Sequence, residues 1–375
     1  SHAYMKYLYK YPQEVFPYQD LVETNQKRNR QQPEYELLDT HIFDEDRYFD
    51  LFVEYAKASP KEIYIKITVM NRAAQPASLQ LLPTLWFRND WSWQEEKKKS
   101  RPYFTSEKEE TALCVAKSYH PSLDQYWLYC EQAKELLFTE NETNSQRLFD
   151  LPCGPFVKDG IHNYIVHSQK EKVNPKKKGS KMSALYSLQF QPHEEKVIKL
   201  VLTNKNFTSD YFSSEFDALF QQRKKEADQF YASINPFPIP EEQKIIQRQA
   251  FAGLLWNKQC YHYNVSKWLK SDHLSKEEQE KRKRGRNHNW THLDAFDVIS
   301  VPDKWEFPWF ASWDLSFHAV SFALIDPQFA KEQLLLLTKE WYMAPNGQLP
   351  AYEWNFSDVN PPTQVWAALA VYHLE

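Results

Sequence analysis

The chain has 375 residues, 42% of them apolar and 26% charged, enough to bury a sizeable core over two domains and too apolar for full-length disorder. A net charge of −4, from 46 basic and 50 acidic side chains, gives no overall pull toward nucleic acid or an anionic membrane. No apolar run reaches the ~18 residues of a membrane span, and among only 6 glycines there is no GxGxxG or GxxxxGKS/T phosphate loop.

Between about residues 35 and 205 the apolar period is two. Ile63, Ile65, Ile67 and Val69 alternate with polar neighbours, the pattern of a half-buried strand. Asn71-Arg72 ends it, and Leu79 to Phe87 reads as the strand that returns. Ala112, Cys114 and Ala116 alternate again, as do Tyr186, Leu188 and Phe190; Val197 to Leu202 follows a polar turn. Short strands at this spacing, divided by polar loops, predict an antiparallel β-sandwich over residues 1–208. The lysine-rich run 170–181 reads as an exposed hairpin loop, with a polyanion site as the alternative.

Near Ser209 the period becomes helical, with Phe216, Leu219 and Phe220, until the Pro-rich stretch 235–240 breaks it. Residues 209–240 are therefore expected as a helical linker. Pro240 suits the first turn of a new helix, in which Ile246, Ala250 and Leu254 share a face. A charged insertion at 275–286 opens with the capping-box spacing of Ser275 and Glu278; its basic end reads as a solvated helix end rather than a nucleic-acid contact. Further helices are predicted from Ser312 to Ile325, and from the cap Asp326-Pro327 with Ala330, Leu334, Leu337 and Trp341 on one face. The last begins at Asn360-Pro-Pro and carries Val365, Leu369 and Tyr372. Between the last two lies a long loop, 342–359, of the kind that usually carries function.

The four cysteines show neither CxxC nor paired spacing with His, so a structural zinc site and a disulfide framework are not expected. No metal and no cofactor are assigned, and a reducing, cytoplasmic setting is expected. The five Asn-x-Ser/Thr sequons read as chance occurrences. The absence of an initial Met and a helical pattern running to Glu375 suggest a fragment of a longer protein.

Seven of the thirteen tryptophans fall between Trp290 and Trp366, interleaved with carboxylates and amides. A sugar ring asks for this mixture: its C–H faces pack on indole or phenyl rings, and its hydroxyls both donate and accept. The cluster predicts a pocket for a polar ligand, against the alternative of an aromatic core capped by carboxylates.

Phe307-Pro-Trp-Phe-Ala-Ser-Trp-Asp314, then Ala344-Pro-Asn-Gly-Gln348, then Val359-Asn-Pro-Pro362 resembles glycoside hydrolase family 63, the processing α-glucosidases and their bacterial relatives. Tyr4 to Pro12 and Leu82 to Asn89 resemble the β-domain of long bacterial members. The resemblance implies a β + α multidomain protein, an antiparallel β-sandwich followed at 241–375 by the first part of an (α/α)6 barrel. It implies inverting hydrolysis of α-linked sugars, with two carboxyl groups ~6.5–9.5 Å apart across the bond. Carried onto this sequence, Asp314 would grip sugar hydroxyls, with Trp313 and Phe310 as walls and Trp309 as a further substrate-binding residue of the same cluster. Asn346 would supply an amide, Glu353 a carboxylate, and Asn360 a further amide where related trehalases carry Gln. Asp358 falls where those enzymes carry Arg. The family's acid and base segments do not occur, so the catalytic pair is expected outside this chain. The expected partner is an oligosaccharide or small glycoside, with no nucleic acid and no membrane. Two alternatives stand beside this: a non-catalytic carbohydrate-binding protein, and a phosphorylase-like enzyme that cleaves glycosides with phosphate.

Overall fold

The structure is a computed structural model that describes residues 3–93, 100–206, 211–235, 237–270, 275–352 and 360–374. The chain forms two compact units, Ser1–Asp228 and Gln229–Glu375, so the division falls inside one helix. It is a β + α multidomain chain built on a large antiparallel sheet.

In the first unit the strands are β1 (Tyr4–Pro12), β2 (Tyr48–Ser59), β3 (Glu62–Asn71), β4 (Ala77–Leu81), β5 (Thr84–Trp86), β6 (Tyr103–Glu110), β7 (Leu113–Tyr119), β8 (Trp127–Glu131), β9 (Glu135–Thr139), β10 (Lys178–Gly179), β11 (Lys181–Phe190) and β12 (Glu195–Thr203). The longer helices are α1 (Tyr18–Lys27), α2 (Gly160–Val166) and α3 (Ser214–Ser233). An eight-stranded sheet runs β1-β2-β3-β12-β8-β7-β6-β10, and a smaller sheet gathers β4, β5 and β9 on β11. Phe49, Leu51, Ile67, Val69, Leu200 and Cys130 of the large sheet meet Leu136, Phe138, Met182, Ala184 and Tyr186 of the small one in the main core.

Period-two strands have a second face, and here helices cover both second faces. Ala56, Val115, Trp127, Tyr129 and Val201 pack under Phe216 and Phe220, one turn apart on α3. On the small sheet Leu137 and Leu185 pack with Ile161 of α2. The segment Leu79 to Phe87 does not return onto β3. Proline 83 splits it into β4 and β5, which lie along β11 in one unbroken register, Leu81 opposite Tyr186 and Thr84 opposite Ser183. Pro83 has no N–H to give the ladder, but its carbonyl still accepts from the Ala184 amide at 3.0 Å. Asn71 makes the crossing possible: buried at the end of β3, it accepts from Gln13 and from the Ala73 amide and donates to the carbonyls of Gln75 and Gln191.

The second unit contains α4 (Glu241–Trp256), β13 (Lys258–Asn264), α5 (Lys276–Arg282), β14 (Asp294–Ser300), α6 (Ser312–Phe322), α7 (Pro327–Leu336) and α8 (Thr363–Leu374). The helix starts follow the sequence signals. Ser275 and Glu278 form the reciprocal capping box, and the Asp326 carboxylate accepts from the Phe329 amide at 3.2 Å ahead of Pro327. The antiparallel pair β13–β14 is not part of the helical reading; its inward side chains Tyr261, Ala295 and Ile299 join Trp290, Phe310 and Tyr342 in one core. A second core joins Phe251 of α4 to Ala319, Phe322, Phe329 and Ala330.

Several helix faces differ from those expected. Ile246 is exposed on α4, where Phe251 is the buried side chain. Helix α7 ends at Leu336, so Trp341 lies beyond it. On α8 the set Val365, Leu369 and Tyr372 is exposed, while Ala367 and Val371 are buried. That helix is apolar all round, so periodicity could not choose its inner face, and the small side chains allowed the closer packing. Among the described residues no helix is long and apolar enough to cross a membrane.

Candidate functional site

Asp303 opens the approach to α6. Its carboxylate accepts from the Trp305 amide at 2.7 Å and its carbonyl from the Phe307 amide at 2.7 Å, which folds 303–307 into a tight loop. Ala311 then bridges Tyr352, and α6 begins at Ser312. Ala311 has no side chain that can cap the helix, so the partial positive charge of the first turn is left uncompensated by a cap.

Ser312 is the knot of the site. Its buried hydroxyl donates to the Pro350 carbonyl at 2.7 Å and accepts from the Asn360 side-chain amide at 2.5 Å. Both Pro350 and Asn360 are thereby held at the start of α6, next to Trp313 and Asp314. The Asn360 amide oxygen is buried and has no hydrogen-bond partner among the described residues. It is an acceptor that is costly to leave unpaired and that an added hydroxyl would satisfy.

Asp314 is half-buried in the first turn of α6. Burial raises its carboxyl above the ordinary range, while His318 one turn on, its own amide and the Trp313 side chain pull the other way. The His318 ring is depressed by burial, with Asp314 opposing, and its Nδ1 lies 2.7 Å from the Ser300 hydroxyl. Asp314 thus faces a histidine that is neutral at pH 7, and its carboxylate oxygens keep capacity to accept from hydroxyl groups. Trp313 beside it is 37% exposed.

The structure brings together Trp313, Asp314 and, through Ser312, Asn360. It sets others apart. Phe310, expected as a wall, is fully buried with its ring 4.7 Å from Tyr342, a core residue with no face to offer a sugar. Trp309 is half-buried, edge-on to Phe307 at 5.3 Å. Asn346 sits on an exposed turn where its carbonyl oxygen accepts from the Gln348 amide at 3.0 Å and Gly347 takes a φ of 83°, so its side chain serves the turn. That turn is anchored through the Met343 carbonyl, which accepts from the Trp290 indole at 2.8 Å. Glu353 and Asp358 lie outside the described residues.

Sequence reasoning passed over a hollow in the first unit, of about 860 Å³, lined by Trp86, Arg88, Asn89, Glu142 and Lys158 among others. The signal was available. The tryptophan density that singles out 290–366 also marks 86–93, where Trp86, Trp91 and Trp93 stand among Arg88, Asn89 and Asp90.

No family model matches the chain. It is 39% identical, over an alignment of 416 positions covering the whole chain, to the uncharacterized protein YMR196W of Saccharomyces cerevisiae. The chain spans 38% of that relative's length. Among solved structures, the polysaccharide lyase BACCELL_00875 is similar with a TM-score of 0.28 and 10% identity, over 46% of this chain and 22% of that one. A candidate kojibiose phosphorylase from the human microbiome is similar with a TM-score of 0.23 and 8% identity, over 87% and 39%. At these scores neither likeness carries an argument about fold or function.

Proposed function

We propose that this chain belongs to a carbohydrate-active protein of the glycoside hydrolase type, and that its second unit contributes sugar-binding groups at the start of α6. The observation that supports this reading is the grouping at one helix start of an exposed indole, a half-buried carboxylate and an amide oxygen without a partner among the described residues: Trp313, Asp314 and Asn360. Trp313 would pack on the C–H face of a sugar ring, Asp314 would accept from one or two hydroxyls, and the Asn360 oxygen from another. The order of motifs in the sequence favours an α-glucoside-type ligand and a family-63-like protein. In that reading the second unit is the first part of an (α/α)6 toroid, and hydrolysis proceeds with inversion. Acid and base are assigned to none of this chain's residues; its share of the chemistry is to hold the sugar.

Calorimetric titration of the chain with maltose and other α-linked glucose disaccharides, with cellobiose as the β-linked control, tests the reading. The expected result is saturable binding of an α-linked sugar, weakened about tenfold or more by Asp314→Ala, the scale of a lost hydrogen bond to a charged group. Binding that is absent for every sugar, or indifferent to Asp314→Ala, would contradict it.

A further inference from the structure

The hollow of the first unit has a rigid polar wall. The Asn89 side chain accepts from the Ser92 amide at 3.0 Å and donates to the Asn141 carbonyl at 2.9 Å, and Asn141 donates in turn to the Phe87 carbonyl at 2.9 Å. Across it the Lys158 amide donates to the Glu142 carbonyl at 2.9 Å. These bonds hold the segments 87–92, 141–142 and 158 as one frame.

The frame carries charges of both signs, and they differ in how far they are paired. Glu142 is already compensated: its Oε1 accepts from the buried Trp91 indole at 2.8 Å and from Arg101 at 2.9 Å, and the same guanidinium holds Glu140 at 3.2 Å. Arg88 and Lys158 are exposed, and among the described residues neither side chain has an ion pair or hydrogen bond. A third cation stands close, since Lys181 donates to the Lys158 carbonyl at 2.9 Å; burial and the Lys158 charge push its ammonium below the usual range, with Asp159 opposing. Arg88 and Lys158, without an ion pair among the described residues, both line a cleft whose carboxylate Glu142 shares Arg101 with Glu140. Such a cleft attracts an anion, and Arg88 has the planar fork that pairs with carboxylate or phosphate.

Trp86 supplies the other half of the recognition. It ends β5 two residues before Arg88, is 60% exposed and lines the same hollow. An indole face beside fixed amides and the hydroxyls of Ser92, Thr143 and Ser145 suits a hydroxylated ring rather than a bare ion. We propose that this hollow is a binding site for a sugar carrying an anionic group, the ring on Trp86 and the anion between Arg88 and Lys158. Its volume, about 860 Å³, accommodates a mono- or disaccharide. The site is separate from the second unit and holds whether or not the sugar reading of α6 does.

Cys153 makes the location testable, because it lines the hollow and its thiol is exposed, while the exposed Cys260 of the second unit serves as internal control. The chain is titrated by calorimetry with glucose 6-phosphate, glucuronate, glucose and inorganic phosphate. Alkylation of Cys153 and Cys260 by iodoacetamide is followed in parallel by peptide mass spectrometry. The expected result is that one or both anionic sugars bind, slow the alkylation of Cys153 and leave Cys260 unchanged. Whichever of the two binds more tightly identifies the anion as phosphate or carboxylate. Glucose and inorganic phosphate alone should bind about tenfold or more weakly, and the double substitution Arg88→Ala/Lys158→Ala should weaken the anionic sugar by a similar factor. Binding by neither anionic sugar, equal binding of inorganic phosphate alone, or protection that survives the double substitution would each overturn the proposal.

Discussion

The two candidate sites use similar side chains with opposite electrostatics. At the start of α6 a carboxylate stands beside an indole, and the titratable group next to it is a histidine kept neutral by burial. In the hollow of the first unit the Glu142 carboxylate is paired with Arg101, and the cations Arg88 and Lys158 have no ion pair among the described residues. The difference teaches that an indole and an amide identify a sugar-sized ligand without identifying its charge. The charge is read from which ionic groups have spent their partners within the fold. A neutral, hydroxyl-rich ring fits the first arrangement, an acidic one the second.

The largest expected effect breaks the comparison by removing one side of it. Phe310→Ala opens a cavity beside Tyr342 in the core that carries α6, and should cost about 3–5 kcal/mol by urea or thermal unfolding. The first unit should keep its own transition, and its hollow should remain protected by the anionic sugar. A single cooperative transition for the whole chain, lowered as one by Phe310→Ala, would show that the two regions cannot be treated separately.

A second substitution sharpens the contrast in charge. Asp314→Asn keeps the shape of the α6 site but removes a charge that burial disfavours, so stability should hold or rise slightly while α-glucoside affinity falls about tenfold. A fall in both together would mark Asp314 as a structural residue. In the first unit Trp86→Ala should weaken the acidic sugar by about three- to tenfold, the range of an aromatic contact, with no change in unfolding because the ring is largely exposed.

The smallest effect is a pH dependence confined to the second unit. Burial sets the folded pKa of His318 below its ordinary 6.5, so the unfolded chain takes up that proton first as pH falls. Stability of this unit should therefore decline as pH drops below 6.5, and the decline should end beneath the depressed folded value. Asp314, raised above 3.8, acts in the other direction: its penalty accrues as pH rises from 3.8 through the raised folded value. His318→Gln should flatten the decline between pH 7 and 5, measured by urea midpoints. An unchanged slope would show that another group governs it.

The antiparallel strands were legible because they obey period two at a face buried on a core, as Ile67, Val69, Leu200 and Leu202 do. Caps were equally legible, at Ser275 and Asp326, since they depend on residues three apart. What failed were choices that need a partner surface. The crossing of β4 to the second sheet hinges on Asn71 reaching Gln13 and Gln191, far away in sequence. The inner face of α8 could not be chosen when both faces are apolar. Of the residues the motif singled out, Trp313 and Asp314 are the ones proposed to bind, whereas Phe310 three residues earlier belongs to the core, a placement set by Tyr342 far away in sequence. Arg88 and Lys158 were missed because whether a cation is paired depends on residues distant in sequence, and among the described residues these two are not.

The central claim is that a sugar ring rests on Trp313 beside Asp314. It is tested most directly by 19F NMR of the chain labelled with 5-fluorotryptophan, the Trp313 resonance assigned by Trp313→Phe, during titration with the α-linked disaccharide. A shift of the Trp313 signal that saturates, and disappears in Asp314→Asn, is the result expected. A Trp313 signal that stays fixed while the sugar binds, or that moves equally without the Asp314 carboxylate, would contradict it.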